Sequence, residues 1–186
     1  MRGLDPAIAR GIRLVVLDVD GVLTENELFV GEVAGQRVEF KRFDVQDGVG
    51  IHLLRIAGIP VAILSGRESA ATSHRARELG ITDVIQDPTA SKLPRMLALL
   101  EEKALGWQEV LYVGDDLADI PVMRRVGIPV SVANGVEEVK AVASAVTTSR
   151  GGHGAVREVV KALLEARGEW DRTIAGYLRE RGGDTA

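Results

Sequence analysis

Cysteine is absent from the 186 residues, so neither a disulfide framework nor a thiolate-held metal is possible. Positive charge is in deficit. A formal net charge of −4 at pH 7 leaves no basic footprint for nucleic acid. No apolar run approaches the ~20 residues that a membrane-crossing helix needs, and the N-terminus has no signal-like apolar region. These absences lead us to expect a cytoplasmic protein with neither nucleic acid nor membrane as partner. Internal repeats and low-complexity segments are also missing. What remains is an ordinary globular composition, 46% hydrophobic and 27% charged. The chain is long enough for one full-cored domain over residues 1–186 and too short for two large ones.

The most informative stretch is Leu14-Val15-Val16-Leu17-Asp18-Val19-Asp20-Gly21-Val22-Leu23-Thr24. Its unbroken apolar start reads as a strand covered on both faces, as in parallel sheets. Asp18 and Asp20 then fall just past the carboxyl end, where open α/β sheets place their chemistry, and Gly21 permits a sharp turn. Two carboxylates at this spacing repel one another. A hard divalent cation such as Mg²⁺, which prefers oxygen ligands, would offset the repulsion. The plainer alternative is a pair of turn and helix-cap aspartates.

Residues 1–13 read as a polar lead-in. Residues 27–43 read as a β-hairpin, with Leu28-Phe29-Val30 before Gly31, a turn at Gly35, and Val38-Glu39-Phe40-Lys41-Arg42-Phe43 after it. It is the only insertion between the first strand and the next helix, so any lid over Asp18 is small. Asp47 is the expected N-cap of that helix and Gly58 its stop. Strand 60–64 ends at Ser65-Gly66-Arg67, and a helix over 68–79 leads to a short strand at 83–85. Lys92 sits near the start of the next helix, which runs to about Lys103. Strand 110–113 ends in Gly114-Asp115-Asp116-Leu117-Ala118-Asp119. A helix, strand 129–132, a helix from about Val136 and another from Gly154 to Gly168 follow. The tail, 169–186, carries Trp170, Ile174, Tyr177 and Leu178 at near-helical spacing, so it is expected to dock on something, a neighbouring subunit being one option. The alternation of strands with helices predicts a doubly wound, mostly parallel α/β sheet.

Asp18 and Asp20, Ser65, Lys92, and Asp115 with Asp116 and Asp119 all follow apolar strands, so such a sheet gathers them on one edge. Acids at two strand ends suit Mg²⁺, and a hydroxyl, a lysine and helix N-terminal amides suit a phosphate. A carboxylate beside both is placed as a nucleophile of the aspartyl-phosphate type. Each residue also has a purely structural reading. Ser65 could cap a helix, Lys92 could be a solvated helix lysine, Asp115-Asp116 could cap the following helix, and His52, His74 and His153 are expected on the surface.

Asp18-Val-Asp20-Gly-Val-Leu-Thr24, Ser65-Gly-Arg67, Lys92 and Gly114-Asp-Asp-Leu-Ala-Asp119 resemble, in order, the four motifs of the haloacid dehalogenase (HAD) superfamily. Phe43-Asp-Val-Gln-Asp-Gly48, Tyr112-Val-Gly-Asp-Asp-Leu-Ala-Asp-Ile-Pro-Val-Met123 and Gly151-Gly-His-Gly-Ala-Val-Arg-Glu158 are similar to signatures of its 3-deoxy-D-manno-octulosonate 8-phosphate (KDO 8-phosphate) phosphatase family. The match covers roughly Arg13 to Gly168.

The resemblance implies a Rossmann-like (HAD-like) sheet with the hairpin in place of a cap domain. It implies that Asp18 attacks phosphorus while Asp20 protonates the leaving alcohol and then activates water. Mg²⁺ would be held by the Asp18 carboxylate, the Asp20 carbonyl and Asp115, supported by Asp116 and Asp119. Ser65 and Gly66 would bind the phosphoryl group, and Lys92 would neutralise its charge. The implied substrate is a small sugar-acid phosphate, and the implied assembly is a homotetramer in which hairpins pack together and a neighbour completes each lid.

Arg67 matches the eight-carbon branch, since a related branch acting on a nine-carbon acid phosphate has glutamate there. His153, where the family usually has arginine, and segment 86–91 depart from the pattern and leave the exact sugar acid open. A phospho-accepting signalling module is disfavoured by the Asp-x-Asp spacing, and an idle oligomerisation module by the intact motifs.

Overall fold

The apolar runs that begin each βα unit form one sheet, buried on both faces. In a computed structural model, which describes residues 3–183, the chain starts with α1 (Pro6–Gly11), β1 (Leu14–Leu17), β2 (Phe29–Val33), β3 (Gln36–Phe40) and α2 (Val45–Ile56). It continues with β4 (Val61–Ser65), α3 (Ala70–Glu78), β5 (Asp83–Gln86), α4 (Lys92–Lys103), β6 (Val110–Gly114) and α5 (Ile120–Met123). It ends with β7 (Ile128–Ser131), α6 (Glu137–Val142), β8 (Ala145–Val146), α7 (Ala155–Arg167) and α8 (Trp170–Glu180). Residues 1–2 of the lead-in and 184–186 of the tail lie outside the described residues.

The main sheet is ordered β5-β4-β1-β6-β7-β8, and every pairing in it is parallel. The doubly wound expectation therefore holds. All four residues of β1 are buried because successive side chains enter opposite layers. Val15 and Leu17 join Leu53, Leu54, Val159 and Leu163 of α2 and α7. Leu14 and Val16 join Met96, Leu100, Val122 and Met123 of α4 and α5. From β1 the chain winds outward through β4 and β5, and from β6 outward the other way. The strand order thus reverses between β1 and β6, which opens a crevice beyond their carboxyl ends.

The expected cap of α2 needs correcting. Asp44, not Asp47, accepts from Gln46 N, at 2.6 Å. Asp47 lies one turn inside, buried, and accepts from Arg157 N at 2.8 Å. Starting the helix at Val45 turns Asp47 towards the first amides of α7, which have no helical partners of their own. Gly50 lets the two helices close: a Cβ there would sit 3.1 Å from the Arg157 Cα.

The lead-in holds α1, capped by Asp5, with Leu4, Ala9 and Ile12 buried. The tail docks on its own chain, where Trp170, Ile174 and Tyr177 of α8 pack against the α2 side of the core. His52 is half-buried beneath it, edge-on to Tyr177 at 5.5 Å and 2.6 Å from Glu180; His74 and His153 are exposed. No helix among the described residues is long and apolar enough to cross a membrane.

Strands β2 and β3 form the hairpin and, among the described residues, pair only with each other, Phe29 opposite Phe40 and Gly31 opposite Val38. Phe29 is 53% and Phe40 64% exposed.

Candidate active site

Asp18 leaves β1 still tied to β6, its N–H donating to Val113 O at 3.1 Å. The chain then turns so tightly that the amides of Val22, Leu23 and Thr24 all reach Val19 O. Gly21 sits at φ 92°, and a Cβ there would lie 1.9 Å from Asp115 Oδ2. Only glycine allows the two aspartate loops to approach this closely.

Asp18, Asp115 and Asp119 are buried, with carboxylate oxygens within 4.8 Å of one another. Lys92, at the first position of α4, is 3% exposed, which rules out a solvated helix lysine. Its Nζ lies 2.9 Å from Asp18 Oδ1 and 2.6 Å from Asp119 Oδ1. Asp119 Oδ1 also accepts from the Tyr112 hydroxyl at 2.6 Å, and Asp119 Oδ2 accepts from the amides of Asp115 (2.9 Å) and Asp116 (3.2 Å). Both oxygens of Asp119 are thus occupied in fixing the loop. Asp116 is exposed and caps the turn over residues 117–119 by accepting from Leu117 N at 2.7 Å.

One ammonium faces three carboxylates, and the imbalance shows in their proton affinity. Burial, partly offset by Lys92, lifts Asp18 from 3.8 to about 7. Burial, then repulsion from Asp18 and Asp119, lifts Asp115 to about 8. Asp18 and Asp119 hold Lys92 above its ordinary value despite burial. Among the described residues Asp115 Oδ1 is buried without a hydrogen-bond partner, while Asp115 Oδ2 takes only a long 3.4 Å contact from Asn26. An orphaned carboxylate oxygen among excess negative charge, with oxygen donors alone, fits a hard divalent cation.

The phosphate-binding candidates lie at the end of β4. Ser65 is buried, its hydroxyl 3.2 Å from both the amide and the carbonyl of Arg67. It does not cap α3, since Ser69 does, accepting from Thr72 N. Gly66 faces the loop before α4, where a Cβ would meet Ala90 Cβ at 3.1 Å. That loop is braced internally: Asp87 Oδ1 accepts from Thr89 N and Oγ1 (2.9 and 2.7 Å) and Oδ2 from Arg95 Nε (2.6 Å). Segment 86–91 therefore delivers Lys92 by a local network of its own.

Arg67 does not stand free. Its Nη2 is 2.8 Å from Glu39 of β3, and its Nη1 is 3.7 Å from Asp20 Oδ2. Lys41, fully covered, donates to Asp20 Oδ1 at 2.7 Å. Glu39 is lowered from its ordinary value, because Ser69, Lys41 and Arg67 outweigh the penalty of burial.

A second loop closes the crevice from the other side. Asn134 donates to Gly21 O at 3.0 Å and accepts from Gly151 N at 2.6 Å. A Cβ on Gly151 would lie 1.7 Å from Gly21 O. His153 stands at the rim, its Nε2 3.2 Å from Glu25.

The structure thus gathers Asp18, Lys92, Asp115 and Asp119 into one cluster. It sets Asp20 and Arg67 beside it and leaves the Asp116 side chain outside. Glu39, Lys41, Tyr112 and Asn134 were not singled out by the sequence. Only Tyr112 carried a signal: a tyrosine inside a buried strand needs a partner for its hydroxyl.

Fold and site together define a HAD-type phosphatase, and the haloacid dehalogenase-like hydrolase family matches residues 80–159. A KDO 8-phosphate phosphatase of Escherichia coli K12 is 43% identical over 165 residues, 89% of this chain and 86% of its own. The crystal structure of a KDO 8-phosphate phosphatase from Moraxella catarrhalis, in complex with magnesium ion, phosphate ion and KDO, is 38% identical with a TM-score of 0.87, covering 92% of this chain and 97% of that one. A cobalt-bound relative from Haemophilus influenzae is 34% identical with a TM-score of 0.79, covering 87% and 92%. The chain belongs to the KDO 8-phosphate phosphatase family of HAD hydrolases.

Proposed function

We propose that the chain hydrolyses KDO 8-phosphate in a Mg²⁺-dependent reaction that passes through an aspartyl-phosphate. The observation that carries this reading is the buried Asp18–Asp115–Asp119 cluster with the unpartnered Asp115 oxygen, in a chain 43% identical to a phosphatase of that substrate.

Asp18, Asp115 and the main chain of Asp20 hold the cation, with Asp119 fixing the Asp115 loop and Asp116 capping it. When bound, Mg²⁺ supplies positive charge opposite the phosphoryl oxygens and the Asp18 carboxylate. The free oxygen of Asp18 attacks phosphorus. Asp20 gives its proton to the departing alcohol, then takes one from the water that cleaves the aspartyl-phosphate. Ser65 and Gly66 bind the phosphoryl oxygens, and Lys92 stabilises the charge that builds on them. Arg67, at the mouth, exchanges Glu39 for the substrate carboxylate, which a guanidinium can grip with two parallel hydrogen bonds. The exposed apolar face of the hairpin joins subunits into a homotetramer.

Phosphate release from a panel of sugar phosphates, with Mg²⁺ and after EDTA, tests this reading on wild type and Asp18→Asn. KDO 8-phosphate is expected to be turned over fastest, ahead of a nine-carbon acid 9-phosphate, and only with Mg²⁺. Asp18→Asn loses roughly 10⁴-fold or more, the scale of removing a nucleophile that acts within a unit. A variant that kept a tenth of wild-type turnover would refute Asp18 as nucleophile.

A further inference from the structure

Asp20 is held from the hairpin of its own chain. Lys41 donates to Asp20 Oδ1 at 2.7 Å with its side chain fully covered. Lys41 Nζ also lies 3.8 Å from Glu39 Oε1, and Glu39 receives Arg67 and the Ser69 hydroxyl at 2.8 Å each. Once Asp20 has given up its proton, Asp20, Lys41, Glu39 and Arg67 form a ring of alternating charge with no net excess. Burying a lysine is costly unless it is paired. Here the ammonium donates to one carboxylate, Asp20, and lies 3.8 Å from a second, Glu39, at the mouth of the catalytic crevice. A surface ion pair, worth little, does not describe a side chain with no exposure. Among the described residues Asp20 Oδ2 takes no hydrogen bond, and Arg67 Nη1 stands off at 3.7 Å.

We propose that Lys41 is a positioning residue for the leaving-group acid. It pins Oδ1 of Asp20, so that Oδ2 alone faces the substrate, and Glu39 braces Lys41 in that position. The inference rests on the reading of Asp20 given above. In the step concerned, an Asp18 oxygen bonds to phosphorus and the phosphorus–ester oxygen bond breaks. The departing oxygen takes the proton from Asp20, leaving an alcohol and a carboxylate whose Oδ1 is still bound by Lys41. A mispositioned acid penalises only a leaving group that needs the proton. An aliphatic alkoxide needs it, whereas p-nitrophenolate departs without it.

The test compares kcat/KM, which covers the chain of events up to leaving-group departure, for KDO 8-phosphate and p-nitrophenyl phosphate. Lys41→Met keeps the length of the side chain and removes the ammonium. It is expected to lower kcat/KM for the aliphatic ester by roughly 10²-fold, within the range of general-acid contributions, and for the aryl ester by less than about threefold. Lys41→Arg is expected to recover part of the loss. Equal losses on both esters, or no loss on either, would overturn the proposal. Glu39→Gln, which keeps shape and weakens the brace, should show the same selective pattern at smaller size if Lys41→Met does not fold by circular dichroism; equal losses there overturn it too. Asp20→Asn separates the two levels. If it shows no aliphatic-selective loss, the reading of Asp20 itself fails. If it does and Lys41→Met does not, only the role of Lys41 fails.

Discussion

Stripping the metal should leave a protein whose stability falls as pH rises through neutrality. In the metal-free fold Asp18 sits at about 7 and Asp115 at about 8, against 3.8 for an ordinary aspartate, burial being the largest cause for both. Both folded values are raised, so the folded state binds these protons more tightly than the unfolded chain does. Their contribution to stability is present at low pH and is lost as pH rises through about 7 and 8. From pH 6 to pH 9 the two groups together remove about 4 kcal/mol, equivalent to ~10 °C in Tm for a chain of this size. Lys92, raised above its usual value by Asp18 and Asp119, keeps its charge throughout that window. A bound divalent cation needs both carboxylates ionised. At pH 7 its binding expels about 1.4 protons, half from Asp18 and nine-tenths from Asp115, and at pH 9 only about 0.1. Thermal melts of EDTA-treated protein at pH 6 and 9, with and without Mg²⁺, read the first quantity. Calorimetric titration of Mg²⁺ in two buffers of different ionisation heat reads the second. Asp115→Asn should remove more than half of the pH slope. An apo melt that stays flat between pH 6 and 9, or Mg²⁺ binding without proton release at pH 7, would refute the account of the cluster.

The hairpin and Arg67 give two further expectations. Phe29, Val33 and Phe40 expose one apolar ribbon face to solvent, more than an isolated two-stranded hairpin tolerates; light scattering should report a tetramer, Phe29→Ser with Phe40→Ser a smaller species, and a wild-type monomer at micromolar concentration would sink the interface. Arg67→Ala should cost roughly 2 kcal/mol in kcat/KM for KDO 8-phosphate, the low end for truncating a buried charged pair, because Glu39 must first be displaced. p-Nitrophenyl phosphate, which has no carboxylate, should lose far less, and equal losses would mean that Arg67 holds the loop instead.

The sheet and the acid cluster were legible because two independent patterns coincide there. Runs such as Leu14–Leu17 and Val110–Val113 lack polar alternation, which only a doubly covered strand tolerates. Each run ends in residues with no apolar role, so topology alone carries Asp18, Ser65 and Asp115 to one edge. Local ambiguities were not legible. Asp44 and Asp47 are equally good caps by type, and what separates them is the partner Asp47 finds on α7, more than a hundred residues away in sequence. The segment before Lys92 departs from the family pattern, yet its turn closes through Asp87, Thr89 and Arg95. An altered sequence with a satisfied network still presents the lysine.

The hairpin marks where pattern reading stops, and the reason is physical. Alternation puts Glu39, and Lys41 just past the strand, on one face of the hairpin and Val38 and Phe40 on the other. In a strand that forms part of a core, burial would then say which face looks inward. Among the described residues this ribbon pairs with nothing but itself and its apolar face is the exposed one, so the usual inference points the wrong way. The charged face turns inward because Asp20 and Arg67 lie beneath it with opposite charges that Lys41 and Glu39 complete. The hairpin is therefore docked by electrostatic complementarity to the site, and its apolar face is left over for other contacts. On the proposed reading, polar residues over the candidate site and hydrophobic residues outward let this small insertion serve both as lid and as assembly surface. The two proposed roles are separable, since they fall on alternate residues of one arm of the hairpin.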